Sequence, residues 1–122
     1  MNVTSQGRRP AGHVHSMQVT IDGEVRQPSE GTIRVAAGST VTVRLVETDA
    51  SAYRWEVREQ AGLRLAGEQY WESSHAGWSG HRQFTFQIAD TDGLVRFQYQ
   101  RRGRAWSAPP GATQRLLIAV DR

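Results

Sequence analysis

The sequence predicts an all-β fold, an immunoglobulin-like antiparallel β-sandwich of seven or eight strands, from three observations. Apolar side chains recur at every second position through most of the chain, which is the period of a strand with one buried face. Turn-forming residues follow at intervals of about 8–15 residues. No window of eleven residues combines helical spacing with capping residues. The 122 residues suit one domain, and many short strands are typical of a sandwich.

Seven clear stretches of alternation and a weaker one, from Leu63 to Trp71, are the predicted strands. Trp55 lies on a clear stretch and is therefore predicted to be buried. Asp22-Gly23 and Asp90 to Gly93 supply turns, because Asp and Gly favour turn conformations. The alternating apolar sets are Met17, Val19 and Ile21; Ile33 and Val35; Val41, Val43 and Leu45; Tyr53, Trp55 and Val57; Leu63 and Leu65; Phe84, Phe86 and Ile88; Val95, Phe97 and Tyr99; and Leu116, Ile118 and Val120.

Composition and charge restrict the classes of protein. All fifteen strongly basic residues are arginine, and the formal charge of +3 is too small to indicate nucleic-acid binding by itself. The chain has no cysteine, which excludes a disulfide scaffold, a thiolate zinc site and a cysteine nucleophile. No apolar run approaches the ~18 residues that span a bilayer.

The N-terminal residues are polar and lack the alternation of the rest. We expect residues 1–13 to form a disordered tail and residues 14–122 to form a single β-sandwich domain. Arg8 and Arg9 have no hydrophobic stretch behind them, so no signal peptide is predicted. A cytoplasmic location is therefore expected, or secretion where a leader has been removed.

Three segments interrupt the alternation and are too long for tight hairpin turns. They are Glu47 to Ala52, Glu72 to His81 and Arg101 to Ala112. In a Greek-key sandwich with strands lettered A to G, these are the BC, DE and FG connections, which leave from the same end. Because loops at one end of a sandwich commonly carry recognition, the sequence predicts one recognition surface made of three loops.

Signals for catalysis or metal binding are weak. His13 and His15 lie in or beside the tail without a third ligand nearby, and zinc held by Glu72, His75 and His81 would need further ligands from elsewhere. The serines near these histidines lack a Gly-x-Ser-x-Gly elbow, and no glycine-rich phosphate loop leads into a helix. We therefore predict no enzyme activity, no metal and no cofactor.

The third loop concentrates arginine and tryptophan. Arg101, Arg102, Arg104 and Trp106 have the composition of a protein–protein hot spot, or of a site that binds phosphate and stacks bases. In the structural alternative, Trp106 packs on the sandwich edge and the arginines are solvated. Trp78, in the middle of the second loop, has little core to enter, so we expect it to contact a partner.

From about residue 14 to residue 120, the strands and loops resemble the chagasin-like inhibitors of papain-family cysteine proteases. The run from Val41 to Trp55 is similar to the family's strand, Asn-Pro-Thr-Thr-Gly loop and Tyr-x-Trp strand. Gly77 to Gly80, before Phe84-Thr85-Phe86, is similar to its glycine-rich second loop. Arg104-Ala105-Trp106 is similar to its Arg-Pro-Trp loop.

The loops depart from the family pattern more than the strands do. The first loop keeps a hydroxyl at Ser51 but has Thr48-Asp49-Ala50 in place of Asn-Pro-Thr. Ala52 stands in place of a glycine that would permit positive φ. Trp106 lies seven residues after Tyr99, where the family pattern expects a shorter spacing.

The resemblance implies an inhibitor that inserts three loops from one end of the sandwich into the active-site cleft of a papain-like cysteine protease. The central loop would cross the catalytic centre and the outer loops would grip its flanks, while the rigid sandwich limits the entropy lost on binding. The implied partner is a papain-family cysteine protease. The inhibitor is expected to be a monomer, and neither a membrane nor a nucleic acid is expected as a partner. The implied protease-binding residues are Thr48, Asp49, Ala50, Ser51, Ala52, Gly77, Trp78, Ser79, Gly80, Arg101, Arg104, Ala105 and Trp106.

Two other functions remain open on the residues. An immunoglobulin-like module that binds another protein would use the same loops, and the altered first loop favours it. A nucleic-acid or phosphate binder would use the arginines and Trp106 of the third loop. Titration against papain-like proteases separates inhibition from both, and salt-dependent oligonucleotide binding identifies the last.

Overall fold

The computed structural model describes residues 17–48, 53–72, 79–101 and 112–121, which form nine strands and no helix. The strands are β1 Met17–Ile21, β2 Glu24–Arg26, β3 Thr32–Ala36, β4 Thr40–Thr48, β5 Tyr53–Ala61, β6 Leu63–Trp71, β7 Ser79–Ile88, β8 Gly93–Arg101 and β9 Thr113–Asp121. The all-β sandwich is confirmed. The expected seven or eight strands omit β2, whose three residues are all exposed and therefore show no alternation.

Two further expectations concern the N-terminal tail and membrane-spanning segments. The predicted tail, residues 1–13, lies outside the described residues. Within the described ranges, no helix is long and apolar enough to cross a membrane.

Two sheets form the sandwich. One has the strand order β3-β9-β8-β5, and the other has the order β2-β1-β4-β7-β6. Neighbouring strands are antiparallel except β9 and β3, which run parallel with Ile118 opposite Ile33. The four-stranded sheet of the predicted antiparallel sandwich therefore contains one parallel pair. A hairpin forces its two strands to be antiparallel, but β3 and β9 are far apart along the chain and escape that constraint.

The core lies between the sheets and is built from the alternating apolar sets. Trp55 and Phe97 are fully buried, and the Phe97 ring lies 5.1 Å from Phe84 and 6.1 Å from Phe86, centroid to centroid. Leu65 is the exception, with 37% of its surface exposed. It lies on the edge strand β6, whose pairing with β7 is interrupted by a bulge directly after it.

The strand ends define two poles, and the three predicted loops all leave from one of them, here named the loop pole. Thr48 at the end of β4 pairs with Ser79 at the start of β7. Tyr53 at the start of β5 pairs with Arg101 at the end of β8. The prediction that the three loops share one end is confirmed. Residues 49–52, 72–78 and 102–112 join the strands here, and the parts of them outside the described residues are named connections 49–52, 73–78 and 102–111.

The loops are shorter than the sequence predicts. Glu47 and Thr48 belong to β4, Ser79 to His81 belong to β7, and Arg101 belongs to β8. The error has a physical cause, since charged side chains occupy inward-facing strand positions near the loop pole. A pattern search that assigns inward positions to apolar residues ends the strands too early.

Candidate functional site

A buried ion pair lies at the base of the loop pole. The Glu47 side chain on β4 is fully buried and the Arg82 side chain on β7 is 11% exposed. Arg82 donates from Nε to Glu47 Oε1 at 2.9 Å and from Nη2 to Glu47 Oε2 at 2.8 Å. This two-bond geometry is the strong form of an arginine–carboxylate pair. The hydrogen bond to Glu47 is the main cause that raises the pKa of Arg82 above its ordinary value.

Arg82 also reaches the neighbouring edge strand. Its Nη1 donates to Glu68 Oε2 at 2.9 Å, and its guanidinium lies 5.1 Å from the centroid of the Tyr70 ring. Both partners lie on β6, which leads into connection 73–78, whereas Arg82 lies on β7, which follows it. One arginine therefore contacts the two strands that flank the second connection.

Trp55 joins the two strands that flank the first connection. Its backbone N donates to Glu47 Oε1 at 2.8 Å, and its indole Nε1 donates to the carbonyl oxygen of Val46 at 2.8 Å. These bonds cross from β5 in one sheet to β4 in the other. The bond to Glu47 is buried and therefore lies in a medium of low dielectric, where it is stronger than in water.

Aromatic rings link the bases of the first and third connections. The Tyr99 ring on β8 lies 4.9 Å from the Trp55 ring and 5.5 Å from the Tyr53 ring, centroid to centroid. These separations are typical of attractive aromatic pairs. The backbone N of Tyr99 also donates to the carbonyl oxygen of Ala112 at 2.8 Å, which ties the chain after connection 102–111 to β8.

Gly80 on β7 lies close to the end of β6. A Cβ atom at Gly80 would collide with the carbonyl oxygen of Trp71 and would lie 2.7 Å from the hydroxyl oxygen of Tyr70. That hydroxyl is buried and has no hydrogen-bond partner among the described residues. Gly80 therefore has a packing role in the strand, in addition to the protease-binding role that the resemblance implies.

The outer face of the five-stranded sheet carries a cationic and aromatic cluster beside the loop pole. The Arg44 guanidinium lies 5.8 Å from the centroid of the Trp71 ring, and the Trp71 ring lies 5.1 Å from the His81 ring. Burial lowers the pKa of His81 below its ordinary value of 6.5, and the positive charge of Arg44 lowers it further. Both effects favour the neutral form of His81 beside the Trp71 ring.

The structure places four of the implied protease-binding residues at strand ends of the loop pole: Thr48, Ser79, Gly80 and Arg101. The others lie outside the described residues, and their role stays a prediction. They are Asp49, Ala50, Ser51, Ala52, Gly77, Trp78, Arg104, Ala105 and Trp106.

The residues considered for zinc are not brought together in the described part of the chain. His13, His15 and His75 lie outside it, and His81 packs on Trp71. Across residues 17–48, 53–72, 79–101 and 112–121, no group of three or more His, Asp or Glu side chains is placed to hold a metal ion.

Sequence reasoning missed the roles of Glu47 and Arg82. Glu47 continues the inward-facing series of Val41, Val43 and Leu45, and Arg82 lies two positions before the buried Phe84. The available signal was a pair of opposite charges at inward-facing positions, one on each of two predicted strands, near the same pole. Buried charges are almost always paired, so the two residues should have been expected to meet.

These observations first define a class of protein. A two-sheet sandwich whose strand ends are tied together by hydrogen bonds, an ion pair and aromatic rings presents three connections from one pole. Loops held on a rigid scaffold in this way are typical of binding proteins. The class is a loop-presenting β-sandwich, and comparison with known proteins gives the family.

The model of the chagasin family peptidase inhibitor I42 matches residues 34–118, which run from β3 to β9 and include all three connections. The chain therefore belongs to the chagasin family of peptidase inhibitors. The resemblance predicted from the loops and strands is confirmed, and by family the protein is an inhibitor of peptidases, not an enzyme.

A solved structure supports the fold. The solution structure of amebosin superposes with a TM-score of 0.61 at 24% sequence identity, over 78% of this chain and 95% of that chain. At this identity the similarity concerns the fold alone. Among curated proteins, none matches the chain significantly.

Proposed function

We propose that the protein inhibits papain-like cysteine proteases by placing connections 49–52, 73–78 and 102–111 in the active-site cleft. The observation that carries the proposal is the convergence of their flanking strands at one pole, where Glu47, Arg82, Trp55 and Tyr99 tie them together. Ordering the bases of the connections before binding reduces the entropy lost on association. Membership of a peptidase inhibitor family supports the same function.

The protein acts as a monomer in this proposal. Each cleft accepts one pole, and the two tryptophans of the second and third connections, Trp78 and Trp106, supply large apolar contacts. Tryptophan and arginine are enriched among the residues that dominate binding energy at protein interfaces. The arginines of the third connection also favour a cleft with an acidic rim, through electrostatic steering.

The test is a titration of the purified protein against a panel of papain-like cysteine proteases, with serine proteases as the comparison. We expect inhibition confined to the papain-like enzymes, with one inhibitor bound per protease in analytical ultracentrifugation. Trp106→Ala is expected to weaken inhibition by about 2 kcal/mol, which is roughly thirtyfold in the dissociation constant. Its folding stability should stay within ~0.5 kcal/mol of the parent.

The matched control is Arg34→Ala. Arg34 is exposed and pairs with Asp121 near the opposite pole, so its loss should change neither inhibition nor stability measurably. Failure of the parent to inhibit any papain-like enzyme contradicts the proposal. Salt-sensitive oligonucleotide binding that Trp106→Ala removes would favour a nucleic-acid binder in its place.

A further inference from the structure

We propose that the Glu47–Arg82 ion pair is a positioning element that sets the relative placement of the first and second connections and so sets inhibitory affinity. This inference rests on the proposed function. The two residues need not touch the protease. They act through the strand ends that they hold.

One carboxylate joins three strands at the loop pole. Glu47 Oε1 accepts from the backbone N of Trp55 at 2.8 Å and from Nε of Arg82 at 2.9 Å, while Oε2 accepts from Nη2 of Arg82 at 2.8 Å. Glu47 lies one residue before the end of β4, and Trp55 lies two residues after the start of β5. Both sides of connection 49–52 therefore meet at this carboxylate.

The second connection is held by the same pair. Arg82 lies on β7, which follows connection 73–78, and its Nη1 donates to Glu68 on β6, which precedes that connection. The four strands that flank the two connections are thus linked through three side chains and one backbone amide. The series of hydrogen bonds runs from the backbone N of Trp55 through Glu47 and Arg82 to Glu68.

The pair fits a positioning role better than a stabilising one. A buried ion pair adds little stability over apolar side chains of similar size, because removing both charges from water costs about as much as their attraction returns. Apolar side chains pack without a preferred direction, whereas a bidentate pair fixes direction as well as distance. Placement of the connections is therefore what the charged pair provides and an apolar pair would not.

The test uses a double variant, Glu47→Gln/Arg82→Met, in the full chain. The single change Glu47→Gln is avoided because it removes the buried counter-charge of Arg82 and leaves only Glu68, whose side chain is 41% exposed. The amide oxygen of glutamine can still accept from the Trp55 backbone N, and methionine fills the space of the arginine stem without a charge. We expect a cooperative unfolding transition close to that of the parent, with an inhibition constant about tenfold higher or more, since preorganisation is lost.

Two further variants make the comparison specific. Arg82→Lys keeps the charge but loses the two-bond fork, and its inhibition constant should lie between those of the parent and the double variant. The control is Glu59→Gln/Arg96→Gln, which removes an exposed pair between β5 and β8, with side chains 54% and 34% exposed. Inhibition by the control is expected to match the parent within about twofold, as for other surface ion pairs.

Amide hydrogen exchange provides a readout that does not depend on inhibition. Amides of β7 point at β4 at every second position, as Ile88 N does in donating to the carbonyl oxygen of Ser39, so residue 47 and Gly80 are the last pair whose amides face each other. In the double variant, exchange at this terminal pair should accelerate relative to the central pair of Val43 and Phe84 on the same two strands. Faster local exchange without global unfolding indicates that the interaction holding these strand ends together has been lost. The same measurement on Arg82→Lys applies if the double variant does not fold.

The outcomes separate the two proposals. A folded double variant that inhibits like the parent, or whose terminal pair exchanges like the parent's, overturns the positioning role. If the parent inhibits no papain-like protease, the proposed function fails and the link to affinity fails with it. Exchange at residue 47 and Gly80 then still decides whether the ion pair places these strand ends.

Discussion

The two poles of the sandwich are held together in different ways. At the loop pole, side chains far apart in sequence meet, as Glu47 and Arg82 do across 35 positions. At the opposite pole, side chains of distant segments also meet, but these contacts are exposed or only partly buried, as for Arg34 with Asp121 and Thr40 with Gln87. Short turns and backbone bonds join the strands there. Asp22 and Gly23 both adopt positive φ in a two-residue turn, and Asp22 N donates to the carbonyl oxygen of Thr40 at 2.9 Å.

Aspartate side chains complete the opposite pole. Asp22 Oδ1 accepts from the backbone N of Thr40 at 3.0 Å, and Asp92 Oδ1 accepts from the backbone N of Val120 at 2.8 Å. Each bond joins a turn to the end of a neighbouring strand. The turns that the structure describes at this pole are short, so single hydrogen bonds to short side chains are sufficient.

The difference between the two poles shows which end of a sandwich needs buried polar groups. A two-residue turn determines its own geometry through local backbone preferences. A longer connection costs more conformational entropy to hold and leaves its strand ends free to separate. Long-range side-chain contacts at the base of the connections oppose that separation, which is why the buried charge and the stacked rings lie at the loop pole.

The largest expected effect comes from removing the Trp55 side chain, which makes a hydrogen bond to Val46 and packs on the Tyr99 ring at the loop pole. Trp55→Ala deletes the ring that packs on Tyr99 and the Nε1 bond to Val46. The cost should be about 3–5 kcal/mol, as for other fully buried aromatic side chains. Chemical denaturation monitored by circular dichroism measures it, and a loss below about 1 kcal/mol would show that the loop pole does not depend on this residue.

The next effect tests the close approach of β6 and β7. Gly80→Ala places a Cβ against the Trp71 carbonyl and the Tyr70 hydroxyl, so we expect a loss of about 1–3 kcal/mol from overpacking. Gly67→Ala is the matched control on β6, because a Cβ there meets nothing within 4 Å. Its unfolding free energy should lie within ~0.5 kcal/mol of the parent. Equal losses in the two variants would contradict the packing role of Gly80.

The smallest expected effect lies at the opposite pole. Asp92→Ala removes the acceptor of the Val120 amide, and a single hydrogen bond of this kind contributes about 1 kcal/mol. Inhibition should be unchanged because the three connections leave from the other end. If Asp92→Ala changed the inhibition constant but not the free energy of unfolding, the two poles would be coupled. The separation drawn here between the poles would then be wrong.

Much of the fold was predictable because a half-buried strand alternates. The inward positions of Val41, Val43 and Leu45 followed from period two, and their burial is complete. The Asp22-Gly23 turn was predictable from its residue types, since few residues accept two positive φ values in succession. Leu65 was beyond the pattern, because an edge strand with a bulge exposes a residue that alternation alone would place inside.

The site was predictable in its location but not in its construction. Three segments without alternation indicated three connections at one pole, and the structure confirms where they leave. The pairing of Glu47 with Arg82 was not predicted, because it depends on which strands become neighbours. The spacing of apolar residues along either strand does not indicate which strands become neighbours.

The sequence by itself determined the strand period, the tight turns and the family, because these depend on residue type over a few positions or on motifs along the chain. Tertiary structure alone decided that β3 runs parallel to β9, that Gly80 lies too close to β6 for a side chain, and that Glu47 is buried against Arg82. The physical reason is the same in each case. Direction, close approach and charge pairing are relations between segments that are distant in sequence, and they arise only when the two sheets pack together.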